Sequence, residues 1–319
     1  MNISSNRATI EDAVLVVHGG AGTIRPQNLT LELERACHGA LRAALEVGHA
    51  LWQHGADAVT IVEAAVRVLE DDPHFNAGRG AVLTHEGNIE LDAAVMRGVD
   101  RAAGAITGVR TIQNPITLAR AVMERSPFVF LSGAGAEEFA RGVETVSFVD
   151  PSYFFTDERW RQLQALKSRS EVSLSEDNKF GTVGAVARDR GGHLAAGTST
   201  GGMTNKRYGR IGDCPVIGAG TWADDATCAV SATGHGEFFL RLAAAHEIAA
   251  RMRYAGESLA IAAAGVVHEQ LVAFGGAGGV IALTSTGQAA LPCNTAGMYR
   301  GVITTTGELA TAIYAEPLL

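Results

Sequence analysis

Glycine knots between short apolar runs constrain this chain more than any other feature of it. It has 38 glycines in 319 residues, well above the usual share of about 7%. They do not form a linker. They gather at His18-Gly19-Gly20-Ala21-Gly22, Gly78-Arg79-Gly80, 197–202, Gly234-His235-Gly236 and 275–279. Glycine at a strand end lets the backbone turn sharply and approach a ligand closely. Such knots are where a site is expected, with a tight turn as the alternative reading of any one of them.

The runs between the knots switch between strand and helix patterns. Residues 13–17 read as a buried strand, and 29–51 carry Leu33, Ala36, Cys37, Ala40, Leu41 and Ala44 at helical spacing. A second helix is expected from an Asp57 N-cap through Leu69. Strands are expected at 81–84, 89–96, 104–111 and 128–131, with helices from Pro115 to 122, at 136–141 and at 152–167. Further on, strands at 182–188, 193–198 and 216–232 (broken at Ala223-Asp224-Asp225) precede helices at 237–252 and 259–271. Strands at 280–284, 289–292 and 309–314 follow. This order suits an α+β fold of two sheets face to face with helices outside, in one domain spanning 1–319. Residues 168–180 are polar, serine-rich and charged, and read as a mobile linker within it.

With 47% apolar and 19% charged residues the chain can bury a large core. A net charge of −8 with no basic block argues against nucleic-acid and anionic membrane partners. The apolar runs fall far short of the about 18 residues a membrane span needs, and the first residues lack the apolar stretch of a secretory signal. Cys37, Cys214, Cys228 and Cys293 are scattered without a CxxC, which fits a reduced, cytoplasmic setting.

Some motifs are decoys. His246-Glu247 and His268-Glu269 begin like HExxH, but Ala250 and Val272 stand where the second histidine belongs. Gly133-Ala134-Gly135 lacks its third glycine, since position 138 is Glu138. A stronger rival is 197–201, a G-x-S-x-G that offers Ser199 as a hydrolase nucleophile, although no helical pattern follows it. Another signal is Gly181-Thr182-Val183-Gly184, a threonine opening a buried strand behind the polar linker. If the Gly181–Thr182 bond is cut, Thr182 gains an α-amine with a reference pKa of about 7.7–8. That amine is a suitable base for its own hydroxyl at neutral pH. A threonine of ordinary β-propensity at a strand start is the alternative reading.

Around Thr182 the chain resembles the plant-type L-asparaginases/isoaspartyl aminopeptidases, which are N-terminal-nucleophile (Ntn) hydrolases. The resemblance runs from Val16 to about Tyr314 through VVHGGAGTI (16–24), FNAGRGAVLT (75–84), ELDAAVM (90–96) and GTVGAVA (181–187). It continues through TSTGGMTNKRYGRIGD (198–213), SATGHGE (231–237) and NTAGMYR (294–300). It implies a four-layer αββα sandwich and a precursor that cuts itself between Gly181 and Thr182 into chains 1–181 and 182–319. It implies Thr182 as nucleophile, Thr200 holding its amine, and Thr233 and Gly234 as oxyanion hole. Arg210 would grip a substrate α-carboxylate, and Asp213 with Gly236 its α-ammonium. His235 would touch the leaving group, and Asn76, Gly19 and Gly20 would support the nucleophile. No catalytic cofactor is implied. A structural sodium ion is, on the carbonyls of Leu69, Glu70, Asp72, Phe75, Ala77 and Arg79. The implied substrates are L-asparagine and isoaspartyl dipeptides, and the implied assembly is a dimer of αβ units. A catalytically silent, uncut binding protein and a Ser199 hydrolase are the alternatives.

Overall fold

The computed structural model of the protein describes residues 10–168, 181–314 and 318. Apart from Ser168, the expected linker at 168–180 lies outside the described residues. Strand β1 (Ala13–Gly22) is buried at every position and runs straight through the first glycine knot. Helix α1 (Leu31–Gln53) starts at Thr30, whose hydroxyl accepts the Leu33 N–H at 3.2 Å. Asp57 caps α2 (Ala58–Asp71) as expected, accepting Thr60 N–H at 2.8 Å. Then come β2 (Leu91–Arg97), β3 (Ala103–Val109), α3 (Pro115–Arg125), β4 (Phe130–Ser132), α4 (Gly133–Ala140) and α5 (Asp157–Ser168).

The second half supplies β5 (Val183–Arg188), β6 (Leu194–Thr200), β7 (Thr221–Ala223), β8 (Ala229–Gly234), α6 (Gly236–Leu242) and α7 (Ala244–Ala255). It ends with α8 (Leu259–Ala264), α9 (Leu271–Ala273), β9 (Gly278–Leu283), β10 (Ala289–Ala290), β11 (Gly297–Thr304) and β12 (Leu309–Ala312). Among the described residues these strands form an eight-stranded sheet, β12-β11-β1-β5-β6-β2-β3-β4, and a four-stranded one, β10-β9-β8-β7. One apolar core fills the space between α1–α3 and the larger sheet, with Leu41, Val62, Leu69 and Val95. A second lies between the smaller sheet and α6–α9, with Phe239, Ile248 and Val280. The third joins the sheets, with Val16, Val186, Ala196, Ile281 and Met298. The layers are helix, sheet, sheet, helix, as expected. No helix among the described residues is long and apolar enough to cross a membrane.

Several boundaries differ from the sequence reading. The expected helix 237–252 breaks at Ala243, which takes a left-handed φ of 47°. The expected helix 259–271 widens into a π-turn at Gly265–Gln270. Residues 81–84 form no strand; only Leu83 bridges Ile89. Strand β11 has no counterpart in the sequence reading at all. It is buried at all its positions, so it shows no alternation of polar and apolar residues, and Gly297 and Gly301 interrupt its apolar run.

Candidate active site

Thr182 directly precedes β5, in the middle of the larger sheet, and is 9% exposed. Its hydroxyl donates to Thr200 Oγ1 at 3.1 Å, at the end of the neighbouring β6. Thr200 Oγ1 also accepts the Gly202 N–H at 3.0 Å, which fixes its orientation. With Gly181 still joined to Thr182, the Gly181 carbonyl accepts the Asn76 backbone N–H at 3.0 Å.

Asn76 uses every polar group it has. Its backbone carbonyl accepts Gly201 N–H at 3.1 Å, Nδ2 donates to Gly202 O at 2.7 Å, and Oδ1 accepts Val82 N–H at 2.9 Å. It thereby ties its loop to the end of β6 and to the Gly181–Thr182 junction. A Cβ on Gly181 would lie 2.6 Å from Asn76 Cβ, so no side chain fits there without moving Asn76. Gly19 faces the Phe75 ring, which occupies the place its Cβ would take. Gly20 has a φ of 111°. Gly19 thus packs against the loop that carries Asn76, whereas Gly20 pairs with Tyr299 of β11.

A small cavity of about 10 Å³ joins Thr182 to Thr200, Arg210, Asp213 and Gly234. That is room for about one water. Arg210 forms a two-pronged pair with Glu237, at 2.9 Å from Nε to Oε1 and 3.0 Å from Nη2 to Oε2. The sequence reading did not anticipate Glu237, although it closes the SATGHGE stretch. Burial pushes the Glu237 pKa up, but the Arg210 guanidinium outweighs this and holds it below the usual carboxylate value. Asp213 is buried, and desolvation raises its pKa to about 7 against the pull of Arg210. Among the described residues its Oδ2 has no hydrogen-bond partner, so the carboxyl is placed to accept one. A Cβ at Gly236 would lie 2.8 Å from both Arg210 Nη2 and Asp213 Oδ1. Thr233 ends β8 and accepts Ala21 N–H at 3.3 Å, leaving its own hydrogen to donate. Gly234 has a φ of 153°, and a Cβ on it would strike Ala277 O.

Behind Thr182 lies a buried polar chain that the sequence reading missed. His18 Nε2 meets Ser231 Oγ at 2.9 Å, Ser231 meets Thr198 at 2.7 Å, and Thr221 donates to Thr198 at 2.7 Å. Burial takes the His18 pKa down to about 3, despite a backbone hydrogen bond to Thr182. The ring is therefore neutral at physiological pH, a packing and orienting group and not a proton acceptor.

Ser199, the rival nucleophile, is corrected by its position. It lies inside β6, fully buried, with no turn after it into a helix. Side chains alternate along a strand, so Thr198 and Thr200 face the site while Ser199 points to the helix layer and Glu70.

The loop assigned to sodium follows α2. Glu70 O accepts Arg79 N–H at 2.7 Å, Gly78 lies against Glu70 O, and Gly80 lies against Pro73 O and Phe75 O. Leu69, Phe75 and Ala77 are buried, whereas Arg79 is exposed and the Asp72 carboxylate turns to His74 at 2.7 Å. Of the carbonyls expected to hold sodium, those of Glu70 and Asp72 accept backbone N–H groups within the loop, from Arg79 and Phe75. The Glu70 side chain does something else: Oε1 accepts Ile116 N–H at 3.0 Å at the start of α3, and burial raises its pKa to about 8.

The family described as asparaginase matches residues 11–313. The chain is 49% identical over 313 residues to the isoaspartyl peptidase of Escherichia coli (strain K12), covering 95% of this chain and 97% of that protein. It is 39% identical over 325 residues to the probable isoaspartyl peptidase/L-asparaginase 2 of Arabidopsis thaliana, with 94% and 98% covered. It is 43% identical over 280 residues to the isoaspartyl peptidase/L-asparaginase of Bos taurus, with 86% and 88% covered.

Proposed function

The chain belongs to the asparaginase family, and from that premise we propose that it hydrolyses β-aspartyl amide bonds with Thr182 as a self-generated N-terminal nucleophile. Its substrates are L-asparagine, giving L-aspartate and ammonia, and isoaspartyl dipeptides, giving L-aspartate and an amino acid. The observation that carries this reading is one cavity uniting the Thr182 hydroxyl with a guanidinium and a buried carboxyl, those of Arg210 and Asp213.

Activation comes first. The Thr182 oxygen attacks the Gly181 carbonyl carbon, and the negative charge that develops on the carbonyl oxygen is held by the Asn76 N–H already bonded to it. The hydroxyl proton passes to the Thr182 nitrogen as the C–N bond breaks, leaving Gly181 on the Thr182 oxygen as an ester and freeing the Thr182 amine. Water hydrolyses the ester into chains 1–181 and 182–319.

In turnover the α-amine of Thr182, set by Thr200, takes the proton of its own hydroxyl as the oxygen attacks the β-carbonyl. Thr233 and Gly234 donate to the oxyanion; losing one such donor costs about 2.7–4 kcal/mol in comparable acyl transfers. The amine leaving group takes the proton and departs, and water hydrolyses the acyl-enzyme. Arg210 suits the α-carboxylate through the Nη1 side of its guanidinium, since Nε and Nη2 are paired with Glu237. Asp213 suits the α-ammonium, with Gly236 leaving room for it.

A sodium ion on the carbonyls of the 69–79 loop would hold the Asn76 turn rigid, and no bond-making step involves it. A dimer of αβ units and a cytoplasmic location complete the reading, the latter supported by four cysteines that form no disulfide. The test is denaturing electrophoresis and amino-terminal sequencing of purified protein, with turnover assays on asparagine and β-aspartyl-leucine. The expected result is two fragments, one beginning at Thr182, and activity that Thr182→Ala abolishes along with the cut. Full activity from an unbroken chain of 33.3 kDa would overturn it.

A further inference from the structure

A second cavity lies on the far side of the oxyanion turn. Its volume is about 130 Å³, and its walls include Gly22, Thr23, Arg25, His235, Ala277 and Thr295. The two cavities border the same turn: Gly234 lines the one that holds Thr182 and His235 lines this one. The end of β1 meets the turn there, since Ala21 N–H donates to Thr233 Oγ1 at 3.3 Å and the next residues, Gly22 and Thr23, line the second cavity. The turn is held firmly, since His235 N–H donates to Ala277 O at 2.9 Å and a fixed carboxamide, Asn294, accepts the Gly278 N–H at 2.7 Å.

If the zwitterionic head sits against Arg210 and Asp213 and its β-carbonyl sits at the oxyanion turn, the departing group must project away from the head. We propose that this second cavity is the subsite for the released amino acid and that Arg25 reads its free α-carboxylate. The inference rests on the β-aspartyl hydrolase reading and sharpens it towards dipeptides with a free carboxy terminus. Ammonia needs none of this space, since even a water takes only about 30 Å³ of liquid. The chemistry of the walls matches a carboxylate. Arg25 stands at the rim, just before a tight turn at Pro26–Asn28, and no acidic residue is among the lining residues. Among the described residues its guanidinium has no hydrogen bond or ion pair, so the fork is open to an incoming carboxylate. Arg25 is exposed, which caps the gain at that of a partly solvated charged pair.

The experiment compares three substrates with the cut protein: asparagine, β-aspartyl-leucine and β-aspartyl-leucine amide, which lacks the terminal charge. The wild type is expected to favour the acid over the amide about fivefold in kcat/KM, chiefly through KM. In Arg25→Gln that preference disappears, and the ratio of kcat/KM for the dipeptide over asparagine falls by a similar factor. Arg25→Lys keeps part of the preference, which separates lost charge from a damaged fold. An acid-to-amide ratio near one in the wild type, or one unchanged in Arg25→Gln, overturns the assignment. If the cut wild type turns over none of the three, the hydrolase reading itself fails and this one falls with it.

Discussion

At the scale of single residues, space and desolvation decide most of the chemistry. Gly181 is a close-approach glycine: a methyl group there would meet Asn76 at 2.6 Å and push its N–H off the Gly181 carbonyl. Gly181→Ala should therefore fold yet stay largely uncut over times in which the wild type is fully processed, as gel densitometry will show. Arg210 is remote from that carbonyl in function, so Arg210→Ala should still cut itself while kcat/KM on asparagine falls at least a hundredfold; a comparable loss of cutting would contradict the division of labour. Asp213 has a pKa lifted by burial to about 7, so its carboxyl is increasingly protonated as pH falls below that value. A substrate ammonium needs the carboxylate, and kcat/KM should fall below about pH 7, with KM carrying part of the loss. The same shift predicts a stability effect. The cost of ionising Asp213 in the fold is absent below its unfolded pKa near 3.8 and grows as pH rises towards 7. Asp213→Asn should thus gain melting temperature relative to wild type more at pH 8 than at pH 4.

Elements carry these residues into place, and each does so by a local device. The end of α2 turns back through Gly78 and Gly80 and presents Asn76 to both β6 and the Gly181–Thr182 junction. If sodium stiffens that turn, replacing it with a large organic cation at equal ionic strength should lower the melting temperature and slow cutting; no change in either would remove the ion from the scheme. The α2 cap is a cleaner test of helix physics. Asp57→Ala removes the acceptor of the Thr60 N–H and should cost about 1 kcal/mol in denaturant unfolding. The β8–α6 turn places Thr233, Gly234, His235 and Gly236 within one reversal of the chain, and Gly234 turns there at a φ of 153°. Helix α1, the α2 cap and the strands β1, β5 and β6 could be read from the sequence because each has its own period or punctuation. The break at Ala243 could not, because no proline or glycine marks it and alanine favours a helix.

At the scale of the whole molecule, a chain cut at residue 181 would stay assembled because its halves are interleaved. Strand β1 of the first half lies between β11 and β5 of the second, and β2 of the first pairs with β6 of the second. Fragments 1–181 and 182–319 should therefore co-elute in native chromatography and part only in denaturant, whereas separation in buffer would contradict this topology. The layered α+β class was legible in the primary structure, because periodicity is local, whereas the first glycine knot turned out to lie inside β1. Also legible was the candidate set Thr182, Thr200, Arg210, Asp213, Thr233 and Gly234, through long motifs, and the fold does gather these residues around one turn and one cavity. What needed three dimensions were the contacts between distant segments. They include the Arg210–Glu237 pair, the His18–Ser231–Thr198 chain, the inward placing of β11 and the second cavity beside His235. Period and propensity act over a few residues, whereas these contacts join positions up to hundreds apart, and only the packing of two sheets determines which of them meet.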